Sequence, residues 1–267
     1  MTDSHLHTNY SHGKSTLDEM IQASIDFGLD NIGFAEHFIY DYFTENALPT
    51  VQGRSVDGTP LLKFKEYCAE VIKAKNKYKD TIKIRLGAEV DFIKGKEDEI
   101  AREIKSQNTN FDFMLGSVHF LGNPIKYFTD YINEPWVKQE YFSSMERCIN
   151  SMLFDVLAHP MLIQYYMDIN EKEYKSISEE VTDLLRQKGM ALELNTDYFS
   201  SGRILNPGAI MLKMCKKKKI PIVIGSDAHS AAKIAKNYKE TFGVLDEIGI
   251  KELCYFEKRE PVFYSIN

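Results

Sequence analysis

Apolar residues along the chain gather into short unbroken runs. Each run is followed by polar residues and then by a longer stretch whose apolar positions are spaced three and four apart. The runs end at Glu36-His37 in NIGFAEH, at Glu89 in IKIRLGAE, at His119 in FDFMLGSVH, at His159 in FDVLAH, at Asn195 in GMALELN and at Asp227 in IPIVIGSD. With the opening DSHLH they make seven candidate strands. Nearly continuous apolar character is expected of strands buried on both faces of a parallel sheet.

The stretches between the runs carry helix boundaries. Thr16 and Glu19 have capping-box spacing, and Gly28 closes that helix. Ser176 and Glu179 repeat the arrangement, with Gly189 as the stop, while Asn206-Pro207 offers an N-cap followed by proline at the first helical position. Residues 61–79 and 97–107 also read as helices. Strand and helix in alternation imply right-handed crossovers and a parallel sheet. With no break in composition, one α/β domain over residues 1–267 is expected. Its architecture is a closed or nearly closed (β/α) barrel, with an open doubly wound sheet as the alternative.

Composition narrows the partners. A 267-residue chain that is 43% hydrophobic supports a sizeable core, and a net charge of −6 argues against a nucleic-acid surface. The four lysines Lys216–Lys219 stand where a helix should end, so its dipole and solvation account for them. Cys68, Cys148, Cys215 and Cys254 are scattered without a CxxC pair, which suits reduced thiols rather than a disulfide framework. Neither a signal-peptide pattern nor an apolar stretch of ~18 residues is present, so a cytoplasmic protein without a membrane partner is expected.

The seven histidines carry the chemistry. His5, His7, His12, His37, His119, His159 and His229 all fall in the last residues of a candidate strand or in the turn after it. In a parallel barrel those strand ends meet at one face, the face that bears active sites. A lone histidine after a strand is more often a hydrogen-bonded structural group than a ligand. Seven of them converging with Glu89 and Asp227 make little sense without cations. His5 and His7 alternate along a strand and so point to one face, and Asp227 and His229 in SDAH repeat that spacing. A set rich in imidazole suits zinc, iron, manganese, nickel or cobalt, and no thiolate selects among them; zinc is the default, with manganese and iron behind it.

Taken in order, H-x-H-T…S-H-G, the EH after the second strand, GSVH, AHP and SDAH resemble the polymerase-and-histidinol-phosphatase (PHP) family over nearly the whole chain. The resemblance implies a distorted seven-stranded (β/α) barrel with its metal site at the C-terminal ends of the strands. It also implies three divalent ions. His5, His7, Glu89 and Asp227 would hold the first; Glu89 would bridge to a second, completed by His119 and His159; His12, His37 and His229 would hold the third. His12 stands where many relatives carry an aspartate, and a histidine there is more typical of the three-metal phosphatases.

Three divalent ions, two carboxylates and a bridging hydroxide leave roughly +3 in the pocket, which favours a phosphate dianion. The expected reaction is in-line attack of a metal-bound hydroxide on the phosphorus of a small-molecule phosphomonoester, with no phosphoenzyme. Asp227 and Glu89 act through the metals, and Arg203 in SSGRILNP would clamp a phosphate oxygen. Ser117 is a candidate donor to the phosphate, Glu36 a candidate to orient a ligand or contact a substrate amine, and Asn195 a further candidate contact. Connections 38–60 (with Tyr40, Tyr42, Phe43 and Arg54), 120–135 and 161–175 are expected to set specificity. A stand-alone chain of this length, with His12 and a long insertion after the second strand, resembles the branch that hydrolyses L-histidinol phosphate to L-histidinol and phosphate in histidine biosynthesis. The alternatives are phosphoester hydrolysis on nucleotides, nucleic-acid ends or protein phosphotyrosine, and a non-catalytic metal-binding module.

Overall fold

All seven apolar runs form strands of one sheet in the computed structural model, which describes residues 1–38, 50–51, 54–55, 61–107, 109–197 and 205–266. They are β1 (Thr2–Leu6), β2 (Asn31–Phe38), β3 (Lys83–Asp91), β4 (Phe113–Ser117), β5 (Val156–Leu157), β6 (Ala191–Asn195) and β7 (Ile222–Gly225). Two further strands follow, β8 (Glu252–Glu257) and β9 (Glu260–Ser265), so the sheet has nine strands rather than the expected seven. Spatial order equals chain order throughout. Pairing is parallel from β1 to β8 and antiparallel between β8 and β9. The order never reverses, which excludes the doubly wound alternative.

The sheet does not close into a barrel, and the reason is local. β7 gives its second edge to β8, where Val223 pairs with Cys254. β1 therefore meets the end of β7 through one isolated parallel bridge, Leu6 to Ala228. There the His7 N–H donates to the Ala228 carbonyl at 3.0 Å. Buried Asp3 reinforces the seam by accepting the Ser226 N–H at 2.9 Å.

The helices are α1 (Leu17–Phe27), α2 (Leu61–Lys77), α3 (Glu97–Ser106), α4 (Val137–Ser151), α5 (Glu171–Lys188), α6 (Ala209–Lys218) and α7 (Tyr238–Ile248). α1 carries the expected reciprocal Thr16–Glu19 capping box and ends on Gly28 at φ 87°. α5 starts earlier than Ser176 because Asn170 and Glu173 form its capping box. α6 is capped by Gly208, not Asn206. The Asn206 Oδ1 is instead occupied by the Met161 N–H at 3.0 Å. At the C-terminus of α6 the lysines are tied to neighbouring helices: Lys216 donates to the Ile248 carbonyl, and Lys218 to the Glu179 carbonyl and Thr182.

Strand alternation sorts the interior. In β2, Gly33, Ala35 and His37 share one face, while Phe34, Glu36 and Phe38 share the other. Phe34 and Phe38 join the main core, whereas Ala35 joins a smaller buried cluster with Phe113, Leu115, Val156, Ala158, Ala191 and Val223. That smaller cluster lies on the His37 face, the inner face of the sheet. Phe113 fits there only because β3 carries glycine: a Cβ on Gly87 would lie 2.4 Å from its ring. No helix among the described residues is long and apolar enough to cross a membrane.

Candidate metal centre

The inner face converges at its C-terminal end on a cluster of bases. β1 contains a register irregularity between Asp3 and Leu6, and bulges of this kind re-aim side chains next to active sites. His5 and His7 project beside each other, with their Nε2 atoms 3.0 Å apart. The β2–β3 register pairs His37 with Glu89, and the His37 Nδ1 lies 3.1 Å from Glu89 Oε2. Glu89 Oε2 is also 3.3 Å from His5 Nε2 and 3.4 Å from His7 Nε2. Asp227 Oδ1 completes the group, 3.1 Å from His7 Nε2 and 3.8 Å from His5 Nε2.

These spacings fit a metal ion. Four donors held tetrahedrally 2.0–2.1 Å from zinc lie about 3.3 Å from one another. The five separations among His5, His7, Glu89 and Asp227 run from 3.0 to 3.8 Å. The other Glu89 oxygen faces a second pair, with His159 Nε2 at 2.8 Å and His119 Nε2 at 3.9 Å.

His12, His37 and His229 stand beyond the first group. The His12 ring centre lies 4.2 Å from that of His229 and 4.9 Å from that of His37. The His229 Nδ1 donates to the Asp227 carbonyl at 2.9 Å, leaving its buried Nε2 without a hydrogen-bond partner and free to accept an ion. Among the described residues, donor atoms within 4.8 Å of one another form three sets: His5, His7 and Asp227; His37, Glu89 and His119; and His7, His37 and His229. His7 and His37 thus stand between adjoining positions.

Electrostatics separates inner from outer histidines in the metal-free chain. Burial opposes a charge on His5 and His7, but Glu193, Asp227 and Glu89 outweigh it at His5, and Asp227 and Glu89 outweigh it at His7. Both pKa values rise, that of His7 to about 9. Partial desolvation and the nearby His7 charge lower His12, which keeps an exposed edge, to about 4, and burial with the His7 charge lowers His229 to about 3. Burial holds His37 well below its ordinary value. The outer imidazoles are therefore neutral and able to ligate at pH 7. Burial raises and the facing histidines lower the Glu89 and Asp227 carboxyls; the histidines win, and both lie well below the usual range. Asp227 at φ 52° and His159 at φ 24° adopt backbone conformations that disfavour non-glycine residues, as strained functional positions often do.

Two buried carboxylates absent from the sequence-derived set support these ligands. Asp91 Oδ1 accepts from His119 Nδ1 at 2.6 Å, and Glu193 Oε1 accepts from His5 Nδ1 at 2.6 Å. A carboxylate on the far nitrogen fixes the tautomer and orientation of a metal-binding imidazole. Asp91 follows Glu89 by two residues and Glu193 precedes Asn195 by two, so strand alternation carried a signal for both.

The candidate substrate contacts fare differently. Asn195 is buried and donates to Asp227 Oδ2 at 3.2 Å, so it supports a ligand. Ser117 is fully buried and donates to the Val90 carbonyl at 3.3 Å. Glu36 points to the opposite face of β2 from His37 and is fully buried, with its oxygens accepting from Thr8 and Ser11. It anchors the β1–α1 loop and has no exposed atom for a substrate amine. Arg203, Tyr40, Tyr42 and Phe43 lie outside the described residues, as does the side chain of Arg54.

The α/β sheet gathers histidines and carboxylates at one end of its parallel strands, in donor sets that could hold a metal ion. The PHP domain model matches residues 3–197, and the chain belongs to the PHP domain family. The chain is 29% identical over 269 residues to the histidinol-phosphatase of Bacillus subtilis, covering 89% of this chain and 96% of that protein. It is 28% identical over 272 residues to a probable histidinol-phosphatase of Schizosaccharomyces pombe, covering 92% and 86%. The fold matches that of histidinol phosphate phosphatase from Lactococcus lactis, solved in complex with zinc, L-histidinol and phosphate. The TM-score is 0.80 at 23% identity, over 98% of both chains.

Proposed function

We propose that this chain is a metal-dependent phosphomonoesterase that hydrolyses L-histidinol phosphate to L-histidinol and phosphate. The observation that carries the metal-dependent reaction is the set of donor atoms 3.0–3.8 Å apart in His5, His7, Glu89 and Asp227. The substrate rests on the relatives, which are named for it and are matched over most of their length. Three ions are proposed, zinc first. His5, His7, Glu89 and Asp227 take the first; Glu89, His119 and His159 the second; His12, His37 and His229 the third.

When bound, such ions activate water at neutral pH and neutralise charge on phosphoryl oxygens. The chain's own residues set the geometry. Glu89 presents one oxygen to His5, His7 and His37 and the other to His159, so it joins neighbouring positions. Asn195 holds one Asp227 oxygen and leaves the other facing His7. Arg203 is the proposed clamp on the phosphate, a planar fork suited to two of its oxygens.

Purified protein, reconstituted with zinc, should be assayed against histidinol phosphate, phosphotyrosine, nucleoside monophosphates and simple alkyl phosphates. We expect histidinol phosphate to lead in kcat/KM by at least ~100-fold, roughly 2.7 kcal/mol of differential transition-state binding. Equal rates across the panel would leave a general phosphatase and remove the histidinol assignment.

A further inference from the structure

Of the seven strands β1–β7, only β6 has none of the residues assigned above to the ions, either within it or just after it among the described residues. Its inner face nevertheless reaches three of them on three other segments. Glu193 Oε1 accepts the His5 Nδ1–H of β1 at 2.6 Å. Glu193 Oε2 accepts the backbone N–H of His159, just after β5, at 2.7 Å. Asn195 Nδ2 lies 3.4 Å from that same Glu193 oxygen and 3.2 Å from Asp227 Oδ2, just after β7. Both Glu193 and Asn195 are fully buried.

We propose that Glu193 is a positioning residue that sets two metal positions at once, with Asn195 extending its reach to Asp227. The inference rests on the reading of His5, His159 and Asp227 as metal ligands. Each contact has a definite consequence. With its Nδ1–H held by Glu193, His5 presents the Nε2 lone pair, the atom that faces Glu89 and His7. The bond to the His159 N–H holds a backbone at φ 24° that a histidine would otherwise leave, and that turn aims His159 Nε2 at Glu89 Oε1. The arrangement requires a glycine on β7. A Cβ on Gly225 would lie 2.6 Å from the His5 Cβ and 2.7 Å from Glu193 Oε1.

The His5 Nδ1–H and the His159 N–H each take a separate Glu193 oxygen, which makes the residue type specific. A glutamine has one oxygen, so one donor would face an NH₂ group instead. Asp91, by contrast, contacts the imidazole of one candidate ligand, His119. Loss of Glu193 should therefore weaken two positions, and loss of Asp91 only one.

The experiment uses full-length protein reconstituted with cobalt(II) and titrated with a chelator, following the visible cobalt spectrum and the metal content. Glu193→Gln should release two ions at chelator concentrations about 10–100-fold below those wild type needs, and Asp91→Asn should release one. Circular dichroism establishes that each variant is folded. Wild-type release by folded Glu193→Gln, or loss of a single position, overturns the inference. If Glu193→Gln does not fold, Glu193→Asp keeps the charge but withdraws the oxygens by a methylene, and the same two-ion loss is expected. Failure of both to fold would assign Glu193 to folding and overturn the positioning role. A wild-type chain that holds fewer than two ions overturns the metal reading itself, which its own metal content identifies independently of any variant.

Discussion

Asp227 shows how much one residue does at this site. Its backbone sits at φ 52°, a region that costs a non-glycine residue about 1–3 kcal/mol and persists where the surroundings hold it. Its carbonyl accepts from His229 Nδ1, one carboxylate oxygen faces His7 and His5, and the other accepts from Asn195. Replacement by alanine removes the carboxylate from between two imidazoles. It removes no part of the apolar core. Asp227→Ala and His5→Ala should therefore lower kcat/KM by about 1,000-fold or more, equivalent to roughly 4 kcal/mol, in a chain that stays folded. Phosphate release measured beside circular dichroism checks this. Near-normal turnover in either variant would show that the first metal position is wrongly assigned.

Elements differ in how openly the sequence announces them. α1 is written in local chemistry: Thr16 and Glu19 cap each other, and Gly28 takes the left-handed turn that ends the helix. That the nine candidate ligands converge was legible because imidazoles and carboxylates recur at the ends of apolar runs, and parallel strands bring those ends together. Asp91 and Glu193 were less legible, since the partner of Glu193 is a histidine 188 residues away on a strand not adjacent to β6. The β8–β9 hairpin gave no turn signal at all. Its turn residues Lys258 and Arg259 have φ 52° and 68°, where Asn-Gly is the usual sequence. Tertiary contacts hold it instead. The Arg259 N–H donates to the Asp112 carbonyl, and its guanidinium reaches the Leu153 carbonyl at 2.9 Å and Asp155 at 2.5 Å. Arg259→Ala should destabilise the chain by about 1–3 kcal/mol, because it leaves the mostly buried Asp155 without its cation. Arg259→Gly also relieves the positive φ and should lose about 1 kcal/mol less. Urea denaturation gives the ranking, and an alanine variant as stable as wild type would mean the anchors do not hold the turn.

At the scale of the whole molecule, the candidate metal centre couples folding to pH, and a chain without the proposed ions exposes the coupling. In the metal-free chain the outer histidines resist protonation, His12 to about pH 4 and His229 to about pH 3. An unfolded histidine takes its proton near pH 6.5. Between those values the unfolded chain binds protons that the folded chain refuses, so stability falls as pH drops below about 6.5. Glu89 and Asp227, held well below the carboxylate range, add stability that is lost as more acid protonates them. His7 acts in the opposite sense: its pKa of about 9 gives stability that is complete below about 6.5 and lost as pH rises through 9. The metal-free protein should thus melt highest near pH 6.5 and lower on either side. Bound ions keep the imidazoles deprotonated, which removes the alkaline decline, and at 1,000 times the Kd they add about 4 kcal/mol. Melting curves of chelator-treated and zinc-loaded protein from pH 4 to 9 provide the comparison. A metal-free melting temperature flat across that range would contradict the charge distribution on which the site's electrostatics rests.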